Sequence, residues 1–239
     1  MAQAVVTGAT SGIGRAIALA LQDAGHQVVA LGRNATALAD LAALGLQTRQ
    51  IDLTDAAGMT RALADLTPDI LVNNAGMMPP LGNFCDADPA DMDQAINTNL
   101  RAVLTLTRAI APGMRARGHG HIFFTGSTAG HAPFANLAVY CATKAAIAGF
   151  AQALRLDMAP HNVRVTEIVA GRVETGLYSA LLPAETRAAM YAGNAAVQPE
   201  DVAAMLLAVL ALPQSVDVAR FDILPTYQGV ATGTPKKEA

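Results

Sequence analysis

The 239-residue chain has only two cysteines, Cys85 and Cys141, and no Cys-x-x-Cys pair. Single cysteines so far apart supply neither a disulfide framework nor a zinc site, so both are expected to be free thiols. Charge is sparse as well. Asp, Glu, Lys and Arg make up 15% of the residues and the formal net charge is -3, which offers no basic surface to nucleic acid. No stretch approaches the ~20 consecutive apolar residues of a membrane-spanning helix. The first strand pattern begins by Ala4, leaving no room for a secretory leader, and a cytoplasmic protein is expected. Of the five histidines only His119 and His121 stand close together. Loop or edge positions at a helix-to-strand junction account for that pair better than ligation, and no metal is assigned.

Apolar residues, in contrast, make up 52% of the chain, enough at this length for one large core and a single domain, 1–239. Helix and strand periodicities alternate, the pattern of parallel strands joined by helical crossovers. Short apolar runs at 4–6, 28–31, 70–72, 122–124, 163–168 and 221–224 read as strands, the middle ones buried on both faces. Ile13, Ala16, Ile17, Ala20, Leu21 and Ala24 recur at helical spacing, and Gly25 stands where a glycine would stop that helix. Further helices are expected at 56–66, 91–115, 138–158 and 200–210. The expected architecture is an α/β, doubly wound parallel sheet of Rossmann type with helices on both faces. Residues 171–199 read as one long irregular stretch, a substrate lid over 172–198 or a short surface helix. The tail, 230–239, reads as flexible.

Thr7-Gly8-Ala9-Thr10-Ser11-Gly12-Ile13-Gly14 follows the first strand and opens the first helix. There a glycine-rich turn brings backbone N-H groups and the positive end of a helix to a pyrophosphate. At the end of the second strand the sequence reads Leu31-Gly32-Arg33-Asn34. No carboxylate is present to hold a ribose 2'-hydroxyl, and Arg33 offers a planar cation to a 2'-phosphate, with Ser11 as a further contact. NADP(H) is therefore expected rather than NAD(H). Tyr140 and Lys144 stand four apart on one helical face, with Ser127 thirteen residues before the tyrosine. An ammonium beside a phenol favours the phenolate, and a nearby hydroxyl can hold a carbonyl or alcohol oxygen in line for its proton.

In this order, these motifs resemble the short-chain dehydrogenase/reductase family along nearly the whole chain, with Asn73-Asn74-Ala75-Gly76 after the fourth strand and Asn99 in the next helix. The resemblance implies a carbonyl or secondary-alcohol oxidoreductase with a small-molecule substrate, in which Asn99, Ser127, Tyr140 and Lys144 are catalytic. Tyr140 would be the general acid or base, Ser127 would orient the substrate oxygen, and Asn99 would help hold a relay water. Lys144 would lower the pKa of Tyr140 and contact the nicotinamide ribose. The cofactor contacts it implies are Gly8, Thr10, Ser11, Gly12, Ile13, Gly14, Arg33, Asp52, Leu53, Asn74, Ala75, Gly76, Tyr140, Lys144, Gly171, Val173 and Thr175. Substrate contacts are expected from Met78, Phe134 and Tyr178, beside Ser127 and Tyr140. A homodimer or homotetramer is implied, joined through the helices at 91–115 and 138–158.

Two features leave the substrate open. Ala170-Gly171 stands where the family usually has Pro-Gly, and Arg172 follows it. The segment 221–228 is similar to NADP-dependent 3-hydroxy acid dehydrogenases, whose anionic substrate needs a cation, with Arg172 and Arg187 the nearest. A non-catalytic NADP-binding sensor would have no need of all four catalytic residues.

Overall fold

Continuous apolar runs too short for helices become strands covered on both faces, and the computed structural model, which describes residues 1–227, shows the six expected runs in a sheet of seven strands whose polar edge strand, 47–50, is not among those runs. The strands are β1 (Gln3–Thr7), β2 (Gln27–Gly32), β3 (Gln47–Gln50), β4 (Ile70–Asn73), β5 (Gly120–Thr125), β6 (Val163–Ala170) and β7 (Arg220–Ile223). All pair in parallel, in the order β3-β2-β1-β4-β5-β6-β7. Strand order therefore reverses between β1 and β4, which opens a crevice at the carboxyl ends of those two strands.

The helices are α1 (Gly12–Asp23), α2 (Ala35–Ala43), α3 (Ala56–Leu63), α4 (Pro89–Ile96), α5 (Ala102–Arg117), α6 (Ala138–Met158), α7 (Ala184–Tyr191) and α8 (Pro199–Leu210). Period-2 alternation sends Ala4 and Val6 to one face of the sheet and Val5 to the other. The first face meets Ile17 and Leu21 of α1 with Val202 and Leu206 of α8. The second meets Leu106, Ile110 and Met114 of α5 with Ile147 and Ala151 of α6. The result is the three-layer doubly wound domain expected from the alternation.

Local chemistry sets several boundaries. Asp55 caps α3 through Gly58 N-H at 2.9 Å, and Asp88 caps α4 with Pro89 at its first position. α2 had no separate expectation; Asn34 caps it through Ala37 N-H, and Leu38 and Leu41 bury its inner face.

Four expectations need correction. The single helix at 91–115 is interrupted, because residues Asn97–Arg101 form a π-helical segment between α4 and α5. The extra residue in that turn carries Asn99 inward, where it is 2% exposed. The stretch 171–199 is not irregular throughout: it contains a 3-10 turn, Gly176–Tyr178, and α7, and a parallel bridge between Val173 and Val197 ties its ends together. His121 is no loop or edge residue; it lies inside central strand β5, 2% exposed and stacked 3.9 Å from Phe123. The helix expected at 56–66 ends at Leu63. The tail at 230–239 lies outside the described residues. Among those residues no helix is long and apolar enough to cross a membrane.

Candidate active site

The glycine turn joins β1 to α1 at the crevice. Gly8 has φ +63°, in the left-handed region, and a side chain there would stand 2.9 Å from Ala75 Cα. A side chain on Gly14 would collide with Asn74 and with Gly8 itself. Two of the three glycines are thus required by the packing of the turn against the β4 loop. The third faces the ligand side: Gly12, at φ +51°, lies against Thr175, to which an added Cβ would be 3.0 Å. Ser11 precedes α1 without spending its hydroxyl on a cap.

Thr7 organises the loop after β4. Its hydroxyl donates to Val72 O at 3.2 Å and accepts from Asn74 N-H at 2.9 Å and Ala75 N-H at 3.0 Å. Asn74 in turn donates to Thr7 O and accepts from the Thr125 hydroxyl at 3.2 Å, tying β1, β4 and β5 together. The carboxamide placed among cofactor contacts is therefore occupied by the protein. Asp52 is likewise engaged, accepting from Thr54 N-H and hydroxyl, bonds that hold its carboxyl below the ordinary range with help from the Arg33 charge. Leu53 is half-buried beside it. Arg33 itself is exposed at the end of β2, next to Thr10, whose methyl occupies the space a Gly32 side chain would need.

A cleft of about 550 Å³ is lined by Gly12, Arg15, Thr175, Arg187, Tyr191 and Glu200, among others. With an uncapped helix N-terminus, a free serine hydroxyl and two arginines, the chain's own residues fit a pyrophosphate. Arg15 was not singled out by sequence reasoning. Its position one residue after Gly14 on α1 was the available signal.

The acid-base group assembles where β4, β5 and α6 meet. A Cβ added to Gly76 would stand 3.4 Å from Asn99 Oδ1 and 3.8 Å from Lys144 Nζ, so Gly76 closes over both. Asn99 accepts from Met77 N-H at 2.7 Å and donates to Met77 O at 2.8 Å and to the Thr143 hydroxyl. Its side chain is fully engaged, so a water in the relay would have to use backbone groups of the π-helical turn. Ser127 ends the loop after β5 and accepts from Ala129 N-H at 3.1 Å.

Tyr140 and Lys144 are both buried. Burial pushes the Tyr140 phenol up to about 12, against a smaller downward pull from hydrogen bonding to Ser127. This corrects the expectation that Lys144 lowers it. The ammonium donates instead to Thr125 O at 2.8 Å and lies 5.8 Å from the Tyr140 ring centroid. Burial pulls Lys144 itself down to about 8. Desolvation outweighs attraction at this separation because both groups have lost their water.

Met78, Ala129, Tyr140 and Cys141 form a small apolar cluster, with Tyr178 and Leu181 of the 171–199 segment packed against it. Met78 and Tyr178 thus lie together with Tyr140 as expected. Phe134 does not; it is 52% exposed and contacts Cys141 only through its backbone. Gly171 packs against Leu224, Val173 is buried, and Thr175 caps the Gly176–Tyr178 turn. Arg172 donates to Met190 O at 3.2 Å, which joins it to the 171–199 segment, while Arg187 lines the cleft together with Arg15.

The family model for short chain dehydrogenase matches residues 2–186. The chain belongs to this family. Among its relatives, a short-chain type dehydrogenase/reductase of Sinorhizobium fredii is 45% identical over 229 residues, covering 95% of this chain and 92% of that protein. The NADP-dependent 3-hydroxy acid dehydrogenase of Escherichia coli K12 is 37% identical over 238 residues, 95% of this chain and 96% of the relative. In structure, the closed form of serine dehydrogenase complexed with NADP+ superposes with a TM-score of 0.92 at 35% identity, over 99% and 100% of the two chains. Among the described residues no three potential ligands cluster to hold a metal ion.

Proposed function

We propose that the protein is a cytoplasmic oxidoreductase that uses NADP(H) to interconvert a carbonyl group and a secondary alcohol, with Tyr140 as proton donor and acceptor. The observation that carries this reading is the convergence of Lys144 and Asn99 beneath Gly76, with Tyr140 buried one turn before Lys144 on α6, beside the glycine turn at the sheet's reversal point. The dinucleotide would supply the hydride. The turn from Gly8 to Gly14, Arg33, Leu53, Val173, Thr175 and Lys144 would hold it.

The remaining chemistry belongs to the chain. Ser127 holds the substrate oxygen, and Tyr140 gives its proton to that oxygen as negative charge develops there. Lys144 and the turn around Asn99 return a proton to the phenol. In oxidation Tyr140 accepts the proton instead. Met78, Tyr178 and Leu181 keep water from the reacting carbon.

A 3-hydroxy or 3-oxo acid is a second substrate reading. It is favoured by the names of the Escherichia coli relative and the NADP+-bound serine dehydrogenase. The deciding experiment follows NADPH consumption with benzaldehyde, cyclohexanone, ethyl acetoacetate and acetoacetate. Reduction of at least one is expected, and acetoacetate turned over faster than its ester would select the acid. Failure with all four would overturn the proposed reaction.

Arg33→Asp is expected to weaken NADPH binding at least about tenfold and to shift preference toward NADH, since a carboxylate would then face the 2'-phosphate. Fluorescence titration measures both affinities, and an unchanged NADPH affinity would remove Arg33 from the site.

The expected dimer has a surface to match. An apolar groove of about 660 Å³ lies between α4 and α6, lined by Phe84, Met92, Ile96, Leu100, Val139 and Ala142. Phe84 is 59% exposed and Ile96 44% exposed in the single chain. A second copy applied across α4, α5 and α6 would cover them, with a tetramer formed from two such dimers. Light scattering is expected to give at least a dimer, and a monomer at assay concentration would rule it out.

A further inference from the structure

β6 carries a charged residue inside an apolar strand. Glu167 is 2% exposed, on an interior strand beside the edge strand β7, and every residue of that strand is buried. A buried carboxyl needs partners, and this one has few. Oε1 accepts from His131 Nε2 at 2.9 Å, while Oε2 is buried with no hydrogen-bond partner. Its place in the fold explains why it matters. A side chain on Gly126 would run into Glu167 Oε1, so the carboxyl packs directly against the backbone between Thr125 and Ser127. Thr125 O is the acceptor of the Lys144 ammonium, and Ser127 is the proposed substrate-orienting hydroxyl.

The charged groups facing Glu167 can be taken element by element. From the turn after β5 comes His131. From β7 comes Arg220, paired in register with Glu167, but its guanidinium is bonded to Asp222 at 2.9 Å and reaches His131 Nδ1 at 3.5 Å. An arginine donates only, so His131 Nδ1 accepts and Nε2 carries the proton given to Glu167. From α6 comes Lys144, a buried cation whose charge Glu167 supports against the effect of burial.

We propose that Glu167 is a positioning residue: its carboxylate, held by His131, is the buried counter-charge that keeps Lys144 an ammonium and sets the pH above which the site stops delivering protons. The proposal rests on the catalytic reading of Tyr140 and Lys144. No bond is made or broken at Glu167. It acts through the lysine.

The test is the pH profile of NADPH-dependent reduction by the full-length protein, with benzaldehyde as substrate, or acetoacetate if only the acid is reduced. In Glu167→Gln the alkaline fall in kcat is expected to move to lower pH by about one unit, so that the loss of rate grows as pH rises. Glu167→Asp, which keeps the charge, is expected to bring the fall back toward its original position. Glu167→Ser, neutral and small enough to admit water, is read in the same way if the glutamine variant does not fold. A uniform loss across the pH range, with the alkaline fall unmoved in the neutral variants, would make Glu167 a packing residue and overturn the proposal. Tyr140→Phe run alongside separates the two failures, because persisting turnover there would sink the acid-base reading itself.

Discussion

Tyr140→Phe is expected to cut kcat by about 10²–10⁴-fold while NADPH affinity changes little, because the substitution removes one proton donor and almost no volume. The phenol ring is 6% exposed among Met78, Ala129 and Cys141, so phenylalanine keeps those contacts. What disappears is the O-H group that the α6 helix and Ser127 position. Because burial holds the phenol near 12, it stays protonated through the working range and is ready to act as an acid in reduction. Oxidation needs the opposite form, so the ratio of oxidation to reduction should rise with pH. Steady-state kinetics in both directions, with fluorescence titration of NADPH, tests the prediction. Turnover within tenfold of the parent protein would remove Tyr140 from its role.

Acid should destabilise the fold through one residue far from that chemistry. His121 Nε2 lies 2.8 Å from the Thr166 hydroxyl, which itself donates to Val218 O at 2.7 Å. The hydroxyl therefore accepts from Nε2-H, and the neutral ring leaves Nδ1 buried and without a partner. A proton added at Nδ1 would create a buried cation with no acceptor. Burial accordingly pushes His121 down to about 3, with the neighbouring Arg164 charge acting in the same direction. In the unfolded chain an ordinary histidine protonates near ~6.5. The folded state thus binds fewer protons between those two values, and the stability contributed by neutral His121 is present above the unfolded value and lost as pH falls toward 3. The slope is about 1.4 kcal/mol per pH unit within that window.

Urea unfolding at neutral and mildly acid pH should show this loss, at one protein concentration so that any association is held constant. His121→Phe keeps a ring against Phe123 and cannot take a proton. It should lose less stability than the parent over the same interval. Equal losses would show that acid acts elsewhere.

Both predictions turn on residues whose meaning in the sequence was incomplete, and the reasons differ. Tyr140 and Lys144 were legible because helical spacing is local: α6 runs from Ala138 to Met158, where periodicity placed it, and four residues make little more than one turn. The strands were legible for a similar reason, since runs such as Val28 to Leu31 are apolar at every position and too short for a helix. His121 was misread because the flanking Gly120 and His119 look like a junction, while the ring's partner, Thr166, lies on the next strand, 45 residues away. The π-helical turn at Asn97–Arg101 was equally hidden, because what holds Asn99 is the backbone of Met77. α7 escaped because it is short and has no fully buried residue to give a periodic signal.

The order of strands and helices, the glycine turn, the missing acid after β2 and the Tyr140–Lys144 spacing are properties of neighbours along the chain, and local sterics and hydrophobic periodicity express them without reference to the rest of the molecule. Other features depend on contacts between residues distant in sequence. The parallel sheet turns Lys144 toward Thr125 O, commits Asn74 to three strands, leaves Phe134 at the surface and sets Glu167 beneath Gly126. Burial and hydrogen-bond partnership, which decide the protonation of Tyr140, Lys144 and His121, exist only once those distant segments have met.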